Sequence, residues 1–387
     1  MSLSVRAISA EQHEAWIARQ SSVSFLQVPQ WAKVKVGWRA QSVGWFKDST
    51  LIGAGLVLFR PIPRLPQRSL AYLPEGPAID WLGERFPGYR LDDWIAPLVR
   101  YCKAAGAFQV KMGPPVAMRR WDDETVKVAI ADAAEGPWPR RFGEVLATWH
   151  SSSAVRVTEY LRSHGWQQER GGGSGFGDVQ PRYVFQLNMK ERSLDDLFAG
   201  FNQQWRRNIR KAEKSGVKCS LGSRSDLGEF HSVYRETAQR DHFTPRGLEY
   251  FERMWDAFDL PAESPLAGRA AMTLHCARID GRMAAATIMM RVGTHAWYTY
   301  GASTAADRDA KPSNALQWHM ITTAHDAGAH LYDMRGVSES LDPEDHLLGL
   351  VKFKVGSGGY LQEYAGEWDF RTRAALAKAF EFYQRRG

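Results

Sequence analysis

Apolar residues of this chain recur at two spacings, and the alternation between them separates helices from strands. At the 3.6-residue period, Leu194, Leu197, Phe198, Phe201, Trp205, Ile209 and Ala212 form one stripe, which predicts a single helix over 193–215. Ser193 stands at its N-cap with Asp195 and Asp196 in the first turn, and Gly216 suits a left-handed C-cap. Helical spacing also marks 10–20, 28–36, 91–105, 155–164, 225–240, 245–257, 313–327 and a tail from 371. Alternating or short continuous apolar runs predict strands at 41–47, 52–59, 70–73, 108–112, 183–188, 217–221, 271–279, 283–291, 296–300 and 331–334. Asp280-Gly281 between two of these is a hairpin turn.

The pattern fades over 119–153, which reads as a surface insertion around one short helix. Gly171-Gly172-Gly173-Ser174-Gly175 then marks a linker or mobile loop. A phosphate-cradling loop would need a following Gly-Lys-Ser/Thr and a strand-to-helix context, and neither is present. The boundary predicted there separates a domain at 1–175 from one at 176–370. Both segments run helices, an antiparallel hairpin, then strand and helix, so the chain reads as α/β (α+β) with two copies of one domain type.

Composition narrows the function classes. At 387 residues the chain exceeds one ordinary core, while 44% hydrophobic and 24% charged residues exclude a disordered chain. The N-terminus lacks a secretory apolar region and no run approaches a membrane span, so a cytoplasmic protein is expected. Cys102, Cys219 and Cys276 are scattered, and His319, His325 and His330 do not share a helix face, so no metal is expected. The formal charge of +7 gains meaning on the 193–215 helix, where Arg206, Arg207, Arg210 and Lys211 crowd the polar face with little to offset them. Phosphates of a polyanion fit that face, and a merely solvated basic face is the alternative.

Several stretches combine into a known pattern: RRNIRKAEKSGV at 206–217, YTYGAS at 298–303, NALQW at 314–318, YDMRGV at 332–337 and FKVGSGG at 353–359. With FLQVPQW at 25–31 and YLPEGPAID at 72–80, they closely resemble the FemABX family over nearly the whole chain. These are aminoacyl-tRNA-dependent peptidyltransferases that build the interpeptide bridge of peptidoglycan. The resemblance implies two tandem domains of the GNAT acetyltransferase fold and a C-terminal helix, 371–387, packed back on the first. It also implies the compact form of the family, because 217–240 leaves no room for a coiled-coil arm.

For the donor, coenzyme A binding wants a glycine-rich turn at a helix N-terminus, but 308–314 has no glycine and includes Pro312, which removes a donor. An aminoacyl ester on tRNA is the expected donor, with no separate cofactor. Lys354 is the expected cation for the tetrahedral oxyanion or the tRNA terminal phosphates, with Phe353 walling the site. The resemblance further implies that Lys35 and Arg246 bind a nucleotide-sugar diphosphate, with Tyr250 and Tyr300 lining the same cleft. No general base stands out; Asp333, Asp241 and His242 are the groups available, and capping or salt bridging accounts for an Asp better. Where the family often has an acid before a proline, this chain reads Lys111-Met112-Gly113-Pro114, so that acid's role does not carry over.

The expected reaction moves glycine, alanine or serine to the stem-peptide side-chain amine of UDP-MurNAc-pentapeptide or a lipid-linked precursor, the latter compatible with peripheral membrane association. Transfer to a lipid or secondary metabolite, and a non-catalytic RNA-binding module, are the alternatives.

Overall fold

In the computed structural model, residues 3–63, 65–136, 138–169 and 180–384 are described, and the glycine run 171–175 lies outside them. Two mixed sheets carry the fold. The first is ordered Ser4–Ala7, Arg39–Lys47, Thr50–Ile62, Leu65–Leu73, Ala107–Met112, Trp368–Arg371 and Gln167–Gln168. The second runs Lys218–Leu221, Ala270–Ile279, Arg282–Val292, His295–Ser303, Leu331–Gly336, Tyr183–Asn188, Tyr360–Tyr364, Ala117–Asp122 and Trp149–His150.

The repeat expected from sequence is present in the pairing. In the first sheet Leu65–Leu73 lies parallel to Ala107–Met112 across the helix Leu91–Ala104. In the second, His295–Ser303 lies parallel to Leu331–Gly336 across the helix Pro312–Asp326. Each crossover follows an antiparallel hairpin. The 280–281 turn has φ of 49° and 79°, the pair of left-handed conformations that a type I′ hairpin turn demands.

Strand pairing also crosses residue 175. Ala117–Asp122 joins the second sheet beside Tyr360–Tyr364, and the following helix, Asp123–Glu135, covers it. The expected surface insertion at 119–153 is therefore corrected: Trp121 and Phe142 are fully buried in the second core. The sequence concealed this strand because Arg119 and Arg120 interrupt it, and the carboxylate that compensates Arg119, Glu363, is 244 residues away. In return Trp368–Arg371 pairs with Ala107–Met112 in the first sheet. The helix Ala374–Gln384 follows, setting Ala377 and Phe380 against Leu70 and Phe108.

The two halves share an apolar core. Phe25, Val28 and Trp31 from the first pack with Phe230, Phe251, Met290 and Trp297 from the second. Such an interface behaves as interior rather than as a hinge. The expected helix over 28–36 is reduced to Trp31–Val34 after a single turn at Phe25–Gln27. Only 215–226 separates the helices Gln203–Lys214 and Leu227–Arg240, so no coiled-coil arm is inserted there. Among the described residues, no helix is long and apolar enough to cross a membrane.

Candidate active site

The helix expected over 193–215 is two helices, Leu194–Gly200 and Gln203–Lys214. Phe201 is the C-cap of the first and Asn202 the N-cap of the second, its Oδ1 accepting the Trp205 amide at 2.8 Å. The sequence signal for the break was present, since Gly200-Phe201-Asn202 places a helix breaker and a strong N-cap two residues apart. The break lets the second helix dock on the FKVGSGG stretch. Asn202 N–H donates to Gly356 O at 2.9 Å, and Trp205 Nε1 donates to Phe353 O at 2.7 Å. Phe353 packs on the Trp205 ring at 5.0 Å, so its observed contact is with the core.

The glycines of that stretch are explained by close approach. A Cβ on Gly358, at φ +69°, would lie 2.3 Å from Gly200 O, and one on Gly359 would lie 2.2 Å from Gln186 O. Gly349, in the preceding helix Leu348–Val355, faces open space. Gly358→Ala is therefore expected to destabilise by roughly 2–4 kcal/mol through strain and overpacking. Gly349→Ala should be neutral or stabilising by about 0.4–1 kcal/mol. Urea unfolding of both variants checks the contrast, and equal midpoints would refute it.

Lys354 is 2% exposed, and its Nζ donates to Gly336 O at 2.7 Å and Arg335 O at 3.2 Å. Burial pushes its pKa down to about 7; Asp333 opposes the shift and Arg335 adds to it. The sequence expectation of a flexible ammonium is thus replaced by a buried amine that clamps two successive carbonyls at a strand end. Arg335, which supplies the first of those carbonyls, has φ 62°. Across from it Glu75 has φ 46° in the Pro74-Glu75-Gly76-Pro77 turn. Glu75 Oε1 accepts Arg335 Nη1 at 2.6 Å, and its Oε2 accepts Ser24 Oγ at 2.6 Å. Two non-glycine residues in left-handed conformations, joined by a half-buried ion pair between the two halves, mark a place where strain is held by its surroundings.

That pair lines a cavity of about 650 Å³ between the halves, walled also by Gly113, Pro114, His295, Trp297 and Asp333. Asp333 accepts Gln186 Nε2 at 2.8 Å and the Arg335 amide at 2.6 Å, and His295 Nε2 lies 3.6 Å from it. Burial raises its pKa, yet His295, Arg335 and Gln186 outweigh burial and hold it below the ordinary carboxylate value. Asp333 is consequently a fixed anion and a poor proton acceptor. Asp241 is engaged by Arg240 and lies outside the cavity lining, as does His242.

Lys35, Arg246, Tyr250 and Tyr300, expected to act together, do meet. Tyr250 and Tyr300 hydroxyls are 2.9 Å apart, and Arg246 stands 5.4 Å over the Tyr250 ring. Burial first, then the Arg246 charge, lowers the Lys35 pKa to about 8. Neither cation has a carboxylate partner among the described residues, so an anion placed between them would relieve their repulsion. Tyr300 also feels Arg335, whose guanidinium lies over Phe25 at 5.8 Å, so this cluster adjoins the cavity.

Arg206, Arg207 and Arg210 line a separate depression of about 430 Å³ with Phe198 and Gln203. Lys211 is exposed outside that lining. Sequence reasoning missed the pair of Glu75 and Arg335, although a charged residue fixed between proline and glycine in YLPEGPAID was a usable signal.

The sequence profile described as the FemAB family matches residues 8–270. The chain belongs to the FemAB family. An acetyltransferase (GNAT) domain profile matches 199–342, and the two matches together identify a transferase. Lipid II:glycine glycyltransferases of Staphylococcus haemolyticus (strain JCSC1435) and Staphylococcus aureus (strain MRSA252) are each 23% identical to it, covering 97% of this chain and 94% of theirs. The crystal structure of FemX matches with a TM-score of 0.76 at 21% identity, over 97% of this chain and 99% of that one. A tandem GNAT protein from the clavulanic acid biosynthesis pathway matches at TM-score 0.51 and 10% identity, over 95% of this chain and 98% of its own. The sequence expectation of tandem GNAT-like domains in a FemABX-type chain is the fold observed.

Proposed function

We propose that this family member transfers an aminoacyl group, glycine, alanine or serine, from aminoacyl-tRNA to the side-chain amine of the stem peptide in a peptidoglycan precursor. The observation that carries this reading is the meeting of Lys35 and Arg246, cations from opposite halves without carboxylate partners among the described residues, beside the Tyr250 and Tyr300 hydroxyls. A diphosphate is the group such a pair suits, because two cations share its charge through charge-assisted hydrogen bonds. The names of the relatives favour the lipid-linked precursor as acceptor, which would hold the protein at a membrane surface.

In this reading the stem peptide enters the 650 Å³ cavity, and Arg206, Arg207 and Arg210, with Lys211 at the rim, take tRNA phosphates. The acceptor amine attacks the ester carbonyl, a C–N bond forms, and the C–O bond to the tRNA 3′ oxygen breaks. The amine's proton leaves with that oxygen, and free tRNA departs. The ester is already activated, so the reading calls for no further cofactor.

The test is incubation with a panel of charged tRNAs and with both nucleotide- and lipid-linked precursors, followed by product mass. One added aminoacyl residue on the precursor supports the proposal. No mass gain in any pairing, or gain from acyl-CoA in place of charged tRNA, overturns it.

A further inference from the structure

Among the described residues, the carboxylates and arginines lining the interdomain cavity are satisfied within the protein in all but one half-buried case, while His295 Nε2, without a hydrogen-bond partner, stands 3.6 Å from Asp333. Glu75 and Arg335 pair with each other, and Asp333 is held by Gln186 and the Arg335 amide. Asp80 accepts the backbone amides of Glu84, Arg85 and Phe86 at 3.1, 3.0 and 2.6 Å. Glu367 accepts the Tyr72 hydroxyl. Arg85 and Glu84 are exposed at the rim. Arg120 differs from all of these.

Arg120 lies in the strand Ala117–Asp122, where alternation sends Trp121 into the second core and Arg120 to the cavity side. Its Cζ sits 4.6 Å from the Trp149 ring and 5.1 Å from the Tyr360 ring. Its Nε donates to Gln362 Oε1 at 2.6 Å, and Gln362 is itself fixed by donating to Arg119 O at 2.9 Å and Glu363 O at 2.7 Å. The guanidinium is thereby oriented by two aromatic faces and a neutral amide, and among the described residues it has no carboxylate partner. The two Nη groups, whose planar fork matches a carboxylate, are left without an acceptor among the described residues.

Its neighbour makes the contrast. Arg119, on the opposite face of the same strand, is neutralised by Glu363. A cation that only folding required would be expected to find such a partner, since a half-buried unpaired charge is costly.

We infer that Arg120 is the anchor for a carboxylate of the acceptor peptide, so that the cavity recognises a peptide acid and not the amine alone. The inference rests on the cavity's being the acceptor site proposed above. Two carboxylates of a stem peptide have the required chemistry, the C-terminal one and the extra one that diaminopimelate carries beside its side-chain amine. Either would fix the peptide's register so that the amine is presented to the ester, which is the positioning that an intermolecular attack needs.

The experiment is isothermal titration of wild type, Arg120→Gln and Arg120→Lys with UDP-MurNAc-pentapeptide. The ligand is supplied with a free and an amidated C-terminus, and in lysine and diaminopimelate forms. Arg120→Gln should weaken binding about 10- to 100-fold, as loss of a charge-assisted pair does, with Arg120→Lys intermediate. Removing the responsible carboxylate should cost wild type a similar factor and cost Arg120→Gln nothing further. A C-terminal anchor predicts that amidation is the sensitive change; a diaminopimelate anchor predicts that replacing that residue by lysine is.

If wild type binds the pentapeptide but neither ligand change alters affinity more than twofold, Arg120 is not a carboxylate anchor. That arm needs no variant and so survives a variant that fails to fold. If wild type binds neither UDP-MurNAc-pentapeptide nor the lipid-linked precursor presented in vesicles, the acceptor-site reading falls and takes this inference with it.

Discussion

Lys354→Ala is expected to lower transfer by about 100-fold or more, the cost of a small misplacement of groups that position the reactants. The amine supports the Arg335 and Gly336 carbonyls from a fully buried position. Its removal leaves two buried acceptors unpaired at roughly 1–3 kcal/mol each and frees Arg335, whose left-handed backbone those contacts hold. The ion pair with Glu75 across the cavity would be lost with it. Full activity of the variant with charged tRNA and precursor would sink any role for Lys354 in turnover.

A pH series separates charge from scaffolding. With a folded pKa near 7, about half the molecules hold the neutral amine at neutral pH. If the ammonium serves the reaction, turnover at saturating substrates should bend near pH 7, and Lys354→Met should lack that inflection.

The stability consequence has a definite sign. The unfolded lysine, near pKa 10.4, binds a proton that the folded one has released, so this group makes stability rise as pH climbs from about 7 to about 10.4. Its contribution is lost as pH falls through 7. Urea unfolding at pH 7 and 9.5 should show that rise in wild type, with the slope reduced in Lys354→Met.

Removing Lys35 and Arg246 should act on binding instead. The double variant is expected to raise KM for the nucleotide-linked precursor about 10- to 100-fold with kcat little changed, because a diphosphate contact holds ground and transition states alike. The single variants should be non-additive, since each lets the other cation relax around one anion. Precursor affinity should also fall as pH passes upward through about 8, where free Lys35 loses its proton. An unchanged KM, or a fall in kcat alone, would place these residues outside the precursor site.

The sequence by itself determined which residues turn inward along the strongly periodic elements, because helical and strand periodicities are local. It therefore supplied the hairpin at 280–281, the repeat of two like domains, the basic face at Arg206, Arg207 and Arg210, and a family pattern that brought Lys35, Arg246, Tyr250 and Tyr300 into one group. It did not contain the pairing of Ala117–Asp122 with Tyr360–Tyr364, or of Trp368–Arg371 with the first sheet, because strand partners far apart in the chain leave no local period. The same limit governed charge. Glu75 and Arg335 are 260 residues apart, Arg119 and Glu363 are 244 apart, and only the folded chain distinguishes a paired arginine from Arg120. Burial of Lys354 was likewise a tertiary outcome: it sits in the last turn of the short helix Leu348–Val355, while the carbonyls its amine donates to come from another strand.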